Sequence, residues 1–355
     1  MQIEMSLSNI FPAEKVKRLR HLIDKSDRIV VTCHVRPDGD AIGSSLGWYH
    51  MLTSKGKDVT VIIPDRAPKS LTFLPGTEEM AIYTQHDEWS RRLLREADLV
   101  LMCDFNKPSR QGNLADVMVS CTARKVLIDH HKDPEMEGAL LFSFPDMSSA
   151  CELSFRLMAA LGWYTDMNLD CATCLLTGLI TDTQNFTVNC ENPETYEVLM
   201  KLLEKGVDKS RIIQEAVKST TYNALRLNCF AISERMEIFE QHRCSFICLD
   251  KADLAKFNYE KGDTEGLVNE PMRIRGIVYS IFLREDSDCI KVSMRSRLNF
   301  PVDKICCDLF GGGGHQMAAG AEFKGSLQDC RRILIENLGK YDLFIPKNLS
   351  KLNVK

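Results

Sequence analysis

RIVVTCHVRPDGDAIGS, residues 28–44, runs from a β-branched apolar segment into a turn crowded with ligand-type side chains, then out into a helical pattern. An apolar run without alternation is what a strand buried on both faces looks like. Just past it stand His34, Asp38 and Asp40, with Pro37 and Gly39 expected to keep the backbone out of helix until about Ala41. A strand-end loop of this kind can fold three ligands onto one cation. Imidazole with carboxylate suits Mn²⁺ or a similar divalent ion better than it suits the all-oxygen cage of Ca²⁺. The same spacing also occurs in solvated turns, so the neighbouring segments have to be asked.

DVTVII (58–63), DLVLMC (98–103) and KVLID (125–129) repeat the pattern, separated by helical spacing or loops. The fold class read from this alternation is α/β, with a parallel sheet and crossover helices. Such sheets bind ligands beyond the carboxyl ends of their strands. Asp104 closes DLVLMCD, while Asp129, His130 and His131 close KVLIDHH; Asp182, in GLITDTQNF, follows an apolar helical run. Any one of these has an ordinary reading as a turn or cap residue. Agreement among four elements points to a common site. His34, Asp38, Asp40, Asp104, His130 and Asp182 are about the ligand set that two adjacent divalent cations require. Two cations about 3.5–4 Å apart can share a hydroxide nucleophile and stabilise charge on a phosphoryl group, so phosphoester hydrolysis is the expected chemistry.

From about 149 the pattern turns helical and ends in RIIQEAVKSTTYNALRLNCFAISERME (211–237), expected as a helix connecting two domains. Strand-like runs resume in CSFICLD, IRGIVYSIFLRED and CIKVSMRS, followed by GGGGHQMAAG (311–320), which implies a second α/β domain. The expected division is 1–210, 211–237 and 238–345, with KNLSKLNVK (347–355) read as a loose end. GGGGHQMAAG has neither P-loop nor dinucleotide-fold spacing. Its glycines permit close backbone approach to a ligand, and His315 can donate to a phosphate; the alternative is a tight turn before the strand AAGAEF. Between 271 and 300, Arg273, Arg275, Arg284, Lys291, Arg295 and Arg297 outnumber Glu285, Asp286 and Asp288, a modest positive patch.

The whole chain, 355 residues with 44% hydrophobic and 26% charged, has the composition of a globular protein of about two domains. A net charge of -4 excludes a general nucleic-acid coat, which needs a concentrated basic excess. The 14 cysteines lie scattered in apolar runs and read as reduced core thiols. Cys171/Cys174 and Cys121/Cys151 lack the second CxxC of a zinc ribbon. No secretory leader and no run of about 18 apolar residues is visible, so the expected location is the cytoplasm, away from membranes.

HVRPDGDAIGS, CDFN, IDHHKDP, GLITDTQNF and GGGGHQMAAG resemble, in order, the motifs of the DHH phosphoesterase superfamily with its C-terminal DHHA1 domain, across about 28–330. Within it, the resemblance is to the bacterial bifunctional oligoribonuclease and 3′-phosphoadenosine-5′-phosphate phosphatase group. That resemblance implies two ions, commonly Mn²⁺ with Mg²⁺ or Co²⁺ as alternatives, on the six ligands above, with Asp104 as the bridge. It implies that Asp129 orients the His130 ring, and that His131 faces the scissile phosphate as electrophile or leaving-group acid. Arg295, Ser296, Gly313, Gly314 and His315 would grip the rest of the substrate from the second domain, across an inter-domain cleft. Arg110, after CDFNKPS, would reach it too. Gln184 departs from the glycine many relatives carry there, and is expected to narrow or polarise the pocket. The implied substrates are short RNA or a 3′,5′-bisphosphonucleoside rather than a long duplex. The competing activities are a short-chain polyphosphatase and a phosphodiesterase of cyclic or linear dinucleotides. A non-catalytic nucleotide-binding protein is disfavoured because all six ligands are present. A homodimer is left open.

Overall fold

In the computed structural model, residues 10–347 are described, so all of the expected loose tail but Lys347 lies outside them. The chain divides after Ser219 into two units, each with its own sheet.

The first unit runs α1 (Ala13–Asp24), β1 (Arg28–Thr32), α2 (Gly39–Ser54), β2 (Asp58–Ile63), β3 (Ala81–Ile82), α3 (Asp87–Glu96), β4 (Leu99–Cys103) and α4 (Ala115–Ser120). It continues with β5 (Arg124–Asp129), β6 (Leu140–Ser143), α5 (Ala150–Ala160), α6 (Leu169–Asp182), α7 (Pro193–Glu204) and α8 (Lys209–Ile212). The strands form one parallel sheet in the order β3-β2-β1-β4-β5-β6. Alternate residues of each central strand serve different cores. Ile29, Val31, Leu99 and Leu101 pack under α2, α5 and α6, whereas Val30, Val100 and Met102 pack with Leu94 of α3 and Met118 of α4. Burial on both faces is why these strands read as unbroken apolar runs. The order reverses between β1 and β4, so the crevice of this doubly wound sheet opens where His34 and Asp104 leave their strands. The edge strands β3 and β6 escaped the sequence reading, being only 2 and 4 residues long.

Gly39 does not hold the backbone out of helix, as expected, but is the first residue of α2. Its service is close approach: a Cβ there would meet the Thr181 side chain, and one on Gly43, a turn later, would lie 2.5 Å from the Cys174 carbonyl oxygen. Helix α6 therefore lies directly against α2, which brings Asp182 to Asp40. Gly43→Ala puts a methyl group against backbone that cannot rotate away. The expected loss is about 1–3 kcal/mol in denaturant unfolding.

The single connecting helix expected over 211–237 is not formed. Helix α8 passes into a π-helical stretch at Ile213–Lys218, Ser219 is extended, and Thr221 caps a new helix, α9 (Tyr222–Glu234), by accepting from Ala224 N. Ser219, Thr220 and Thr221 offer the backbone hydroxyl partners that compete with helix, which is why the amphipathic pattern breaks there. Leu227 and Ala231 of α9 join Ile247, Leu249 and Phe282 in a core of the second unit, so α9 belongs to that unit.

The second unit continues with β7 (Met236–Phe239), β8 (Cys244–Leu249), α10 (Lys251–Lys256), β9 (Tyr279–Glu285), β10 (Ile290–Ser296), α11 (Val302–Phe310), β11 (Gly313–His315), β12 (Ala318–Phe323) and α12 (Leu327–Asn337). Its sheet, β11-β12-β10-β9-β8-β7, is mixed, with only β8 and β9 parallel. GGGGHQMAAG becomes the β11–β12 hairpin. All 14 cysteines are free thiols, and Cys121, Cys151, Cys171 and Cys174 are buried as expected, whereas Cys229 and Cys307 are exposed and so are not the core thiols they were expected to be. No helix among the described residues is long and apolar enough to cross a membrane.

Candidate metal centre

His34 follows β1 and donates from Nδ1 to the Val35 carbonyl oxygen at 2.8 Å. A carbonyl only accepts, so the proton sits on Nδ1 and the Nε2 lone pair points inward. That atom lies 3.3 Å from Asp104 Oδ2 and 3.8 Å from Asp38 Oδ1. Asp38 is the N-cap of α2, its Oδ1 accepting from Asp40 N and Ala41 N. His130, after β5, repeats the design: Nδ1 is 3.2 Å from the Met147 carbonyl oxygen. Its Nε2 stands 3.5 Å from Asp104 Oδ1, 3.7 Å from Asp182 Oδ2 and 3.8 Å from Asp40 Oδ2. Anchoring one ring nitrogen on a carbonyl is how proteins aim the other at a metal.

Asp104 thus turns one oxygen toward each group. It is 2% exposed, and its φ of +62° is a left-handed conformation that Asp tolerates better than most residues. Its Oδ1 is buried with no hydrogen-bond donor, an oxygen left over for a cation. His34, Asp38 and Asp104 form one triplet whose ligand atoms lie within 4.8 Å of one another, and Asp40, His130 and Asp182 form a second. Carboxylates with imidazoles are the donor set of Mn²⁺ and its neighbours. All six expected ligands are therefore brought together, and they fit two ions.

The electrostatics agree. Burial pushes the Asp40 carboxyl up to about 7, with Asp104 adding to the rise, and burial beside Asp40 carries Asp182 up to about 8. Burial alone would lower both imidazoles, but Asp104 outweighs it, raising His34 to about 9 and His130 to about 11. The same two rings hold Asp104 below the usual carboxylate range despite its burial. A pocket of carboxylates that draws protons onto Asp40, Asp182, His34 and His130 is one built for positive charge.

One assignment is corrected. Asp129 does not orient His130; its Oδ1 accepts from His131 Nδ1 at 2.8 Å, while His130 rests on Met147. Both neighbours of a strand-end Asp have the right spacing, and only the turn of the chain after β5 selects His131. His131 Nδ1 also lies 3.6 Å from Asp104 Oδ1, but it is already engaged by Asp129. Gln184 is exposed with φ +47°, followed by left-handed Asn185 and Phe186, the backbone that glycine favours. Arg110 is exposed, and its carbonyl accepts from Val35 N at 2.7 Å, steadying the turn that carries His34.

Sequence reading missed the segment Ser148–Glu152. Ala150 N and Cys151 N, at the start of α5, donate to Asp40 Oδ2 and Oδ1 at 2.6 and 2.9 Å. The signal in the sequence is the Ser-x-x-Glu helix start at Ser149–Glu152, which marks a helix but not where its first amides point.

In the second unit the positive patch is largely neutralised. Arg273 pairs with Glu270, Arg284 with Asp286 and Lys291 with Glu322, and Arg297 donates to the Met272 and Ile274 carbonyls. Arg295 differs. It is half-buried, donates to the Met294 carbonyl at 2.9 Å, and has no carboxylate at ion-pair distance among the described residues. Arg295 of β10 and His315 of β11 both pair with Ala318 of β12, so they share one rung and one face, about 10 Å apart at two strand spacings. Ser296 is less available, since its hydroxyl donates to the Phe300 carbonyl at 2.6 Å. Gly314 is required by the hairpin, where a Cβ would lie 2.5 Å from the Ala318 carbonyl oxygen, whereas a Cβ on Gly313 would meet open space.

Residues 28–179 match the DHH family, N-terminal domain, and residues 245–340 match the DHHA1 domain. A bifunctional oligoribonuclease and PAP phosphatase of Thermus thermophilus is 33% identical over 297 residues, 84% of each chain. The chain belongs to the DHH family. The bifunctional oligoribonuclease and PAP phosphatase of Bacillus subtilis is 28% identical across 87% of this chain and 93% of its own. The crystal structure of an exopolyphosphatase-related protein from Bacteroides fragilis superposes with a TM-score of 0.91 at 38% identity, covering 94% of this chain and 98% of the other. The phosphoesterase family expected from the five motifs is therefore its family.

Proposed function

We propose that this protein hydrolyses short oligoribonucleotides to mononucleotides and 3′-phosphoadenosine 5′-phosphate to AMP, using two divalent cations, Mn²⁺ first with Mg²⁺ or Co²⁺ as substitutes. The observation that carries the reading is Asp104, buried and turned between two ligand triplets. Bound ions would polarise the phosphoryl oxygens and lower the pKa of water at the site. The remaining work falls to the chain itself. His131, steadied by Asp129, protonates the departing oxygen, and the buried Asp129 carboxylate stabilises the charged ring before transfer. Arg295 and His315 receive the non-scissile phosphate on their shared rung, with Gly313 allowing close backbone approach. Arg110 and Ser296 play lesser parts in holding substrate. The free thiols suit a reducing cytoplasm.

Arg295→Lys keeps the charge and loses the planar fork. The expected result is a KM for the bisphosphate raised about tenfold, the effect of about 1.4 kcal/mol, with a smaller change in kcat. An unchanged KM in initial-rate measurements moves the phosphate site elsewhere. The activity itself is tested by presenting the Mn²⁺-loaded protein with RNA dinucleotides to pentanucleotides, 3′-phosphoadenosine 5′-phosphate, linear and cyclic dinucleotides, and tripolyphosphate. Mononucleotides from the short RNAs and AMP from the bisphosphate support the proposal. Selective turnover of tripolyphosphate or a cyclic dinucleotide replaces the substrate while keeping the metal centre, and no turnover favours a non-catalytic nucleotide-binding protein.

A further inference from the structure

We propose that Glu152 is the positioning residue for one of the two cations, setting the triplet Asp40–His130–Asp182 while leaving His34–Asp38–Asp104 to other supports. The inference rests on the two-cation reading. Asp40 is held by Ala150 N and Cys151 N, and His130 by the Met147 carbonyl. Both anchors lie in one short segment, 147–151, that leads into α5.

Glu152 ties that segment down from behind. Ser149 is the N-cap of α5, its hydroxyl accepting from Glu152 N at 2.9 Å. In the usual capping box the Glu side chain would return to the N-cap amide. Here it reaches one residue further. Its Oε2 accepts from Ser148 N at 3.3 Å, from the Ser148 hydroxyl, and from Thr195 Oγ1 of α7 at 2.9 Å. Its Oε1 accepts from Arg156 Nη2 at 2.5 Å. Glu152, Arg156 and Thr195 are each 1% exposed and Ser148 is 2% exposed. Dehydrating a charged pair this completely is costly, and an apolar pair would pack as well. What the pair does that an apolar pair could not is offer a fixed acceptor to Ser148, on the segment carrying both anchors. His34 and Asp38 take nothing from it: the first rests on Val35 and the second caps α2.

The test is Mn²⁺ binding by calorimetry and electron paramagnetic resonance on wild type, Ser148→Ala and Glu152→Gln. Outer ligand partners are worth about tenfold to a hundredfold in metal affinity. The expected result is two binding steps in the wild type and selective weakening of one: about tenfold in Ser148→Ala, more in Glu152→Gln. The other step weakens clearly less, because His34 and Asp38 take no bond from this segment and Asp104 alone faces both triplets. The spin-coupled pair signal gives way to that of isolated ions at Mn²⁺ levels that fill both wild-type sites. Variants that bind both ions as the wild type does overturn the inference, as does equal weakening of both steps. If Glu152→Gln does not fold because Arg156 loses its partner, Ser148→Ala decides alone, since it unpairs no charge. A wild type that takes up fewer than two ions overturns the two-cation reading itself, and this inference with it.

Discussion

Asp104→Asn abolishes phosphoester hydrolysis, with an expected loss of at least about a thousandfold in kcat/KM, or about 4 kcal/mol of transition-state stabilisation. The substitution is chosen for what it keeps. Asn tolerates the left-handed backbone at φ +62°, fills the same volume, and can still hydrogen-bond locally. The fold should therefore survive, as circular dichroism and a thermal melt would show. What disappears is the one negative charge facing both triplets, at 3.3 Å from His34 on one side and 3.5 Å from His130 on the other. On the two-cation reading, losing it would remove a ligand from each site at once. A folded Asp104→Asn protein that retains activity within about tenfold of wild type would sink the two-cation reading.

Mn²⁺ added to chelator-treated protein raises the unfolding midpoint of the first unit. At a free concentration about 100 times its dissociation constant, a single ion stabilises the native state by about 2.7 kcal/mol, which is about 5–10 °C for a unit of this size. The physical source lies in the carboxylates. Asp40 is carried up to about 7 by burial and by Asp104, Asp182 up to about 8 by burial and by Asp40, and His34 and His130 are raised to about 9 and about 11 by Asp104 against the effect of burial. A divalent ion takes over the neutralising task of those protons. Its binding therefore releases protons, and the apparent affinity rises with pH from mildly acid toward mildly alkaline conditions. Calorimetry in two buffers of different ionisation enthalpy measures the release directly. A midpoint indifferent to Mn²⁺, with no protons released, would mean the cluster is balanced by its own histidines and takes no ion.

Much of the first unit was readable because its signals are local. The runs 28–33, 58–63, 98–103 and 125–129 are apolar on both faces for one reason, that both faces are covered, and each became a central strand. His34, Asp104 and His130 follow such strands directly, so the sheet's topology placed them together as soon as it was recognised as parallel. The failures have equally particular causes. Strands of 2 and 4 residues carry no measurable period. The break at Ser219–Thr221 is a competition between hydroxyls and helix that an amphipathic pattern does not register. The partner of Asp129 was misassigned because His130 and His131 are adjacent, and which ring swings toward Asp129 depends on Met147, 17 residues along, capturing the other.

By itself, then, the sequence determined the inventory: an α/β unit followed in the chain by a second α/β unit, six nitrogen- and oxygen-bearing candidate ligands at strand and helix ends, and free cysteines, ten of them buried. Only the tertiary structure decided which atoms face which. Asp182 meets Asp40 because Gly39 and Gly43 let α6 lie against α2, and Asp40 is aimed because the start of α5 presents two amides to it. Arg295 is set apart from Arg273, Arg284 and Lys291 because those three pair with acids and, among the described residues, it does not. Strand and helix periods act over a few residues and leave their mark in the chain, whereas the bonds that aim Asp40 join residues 110 and 111 apart through packing, which no spacing in the sequence records.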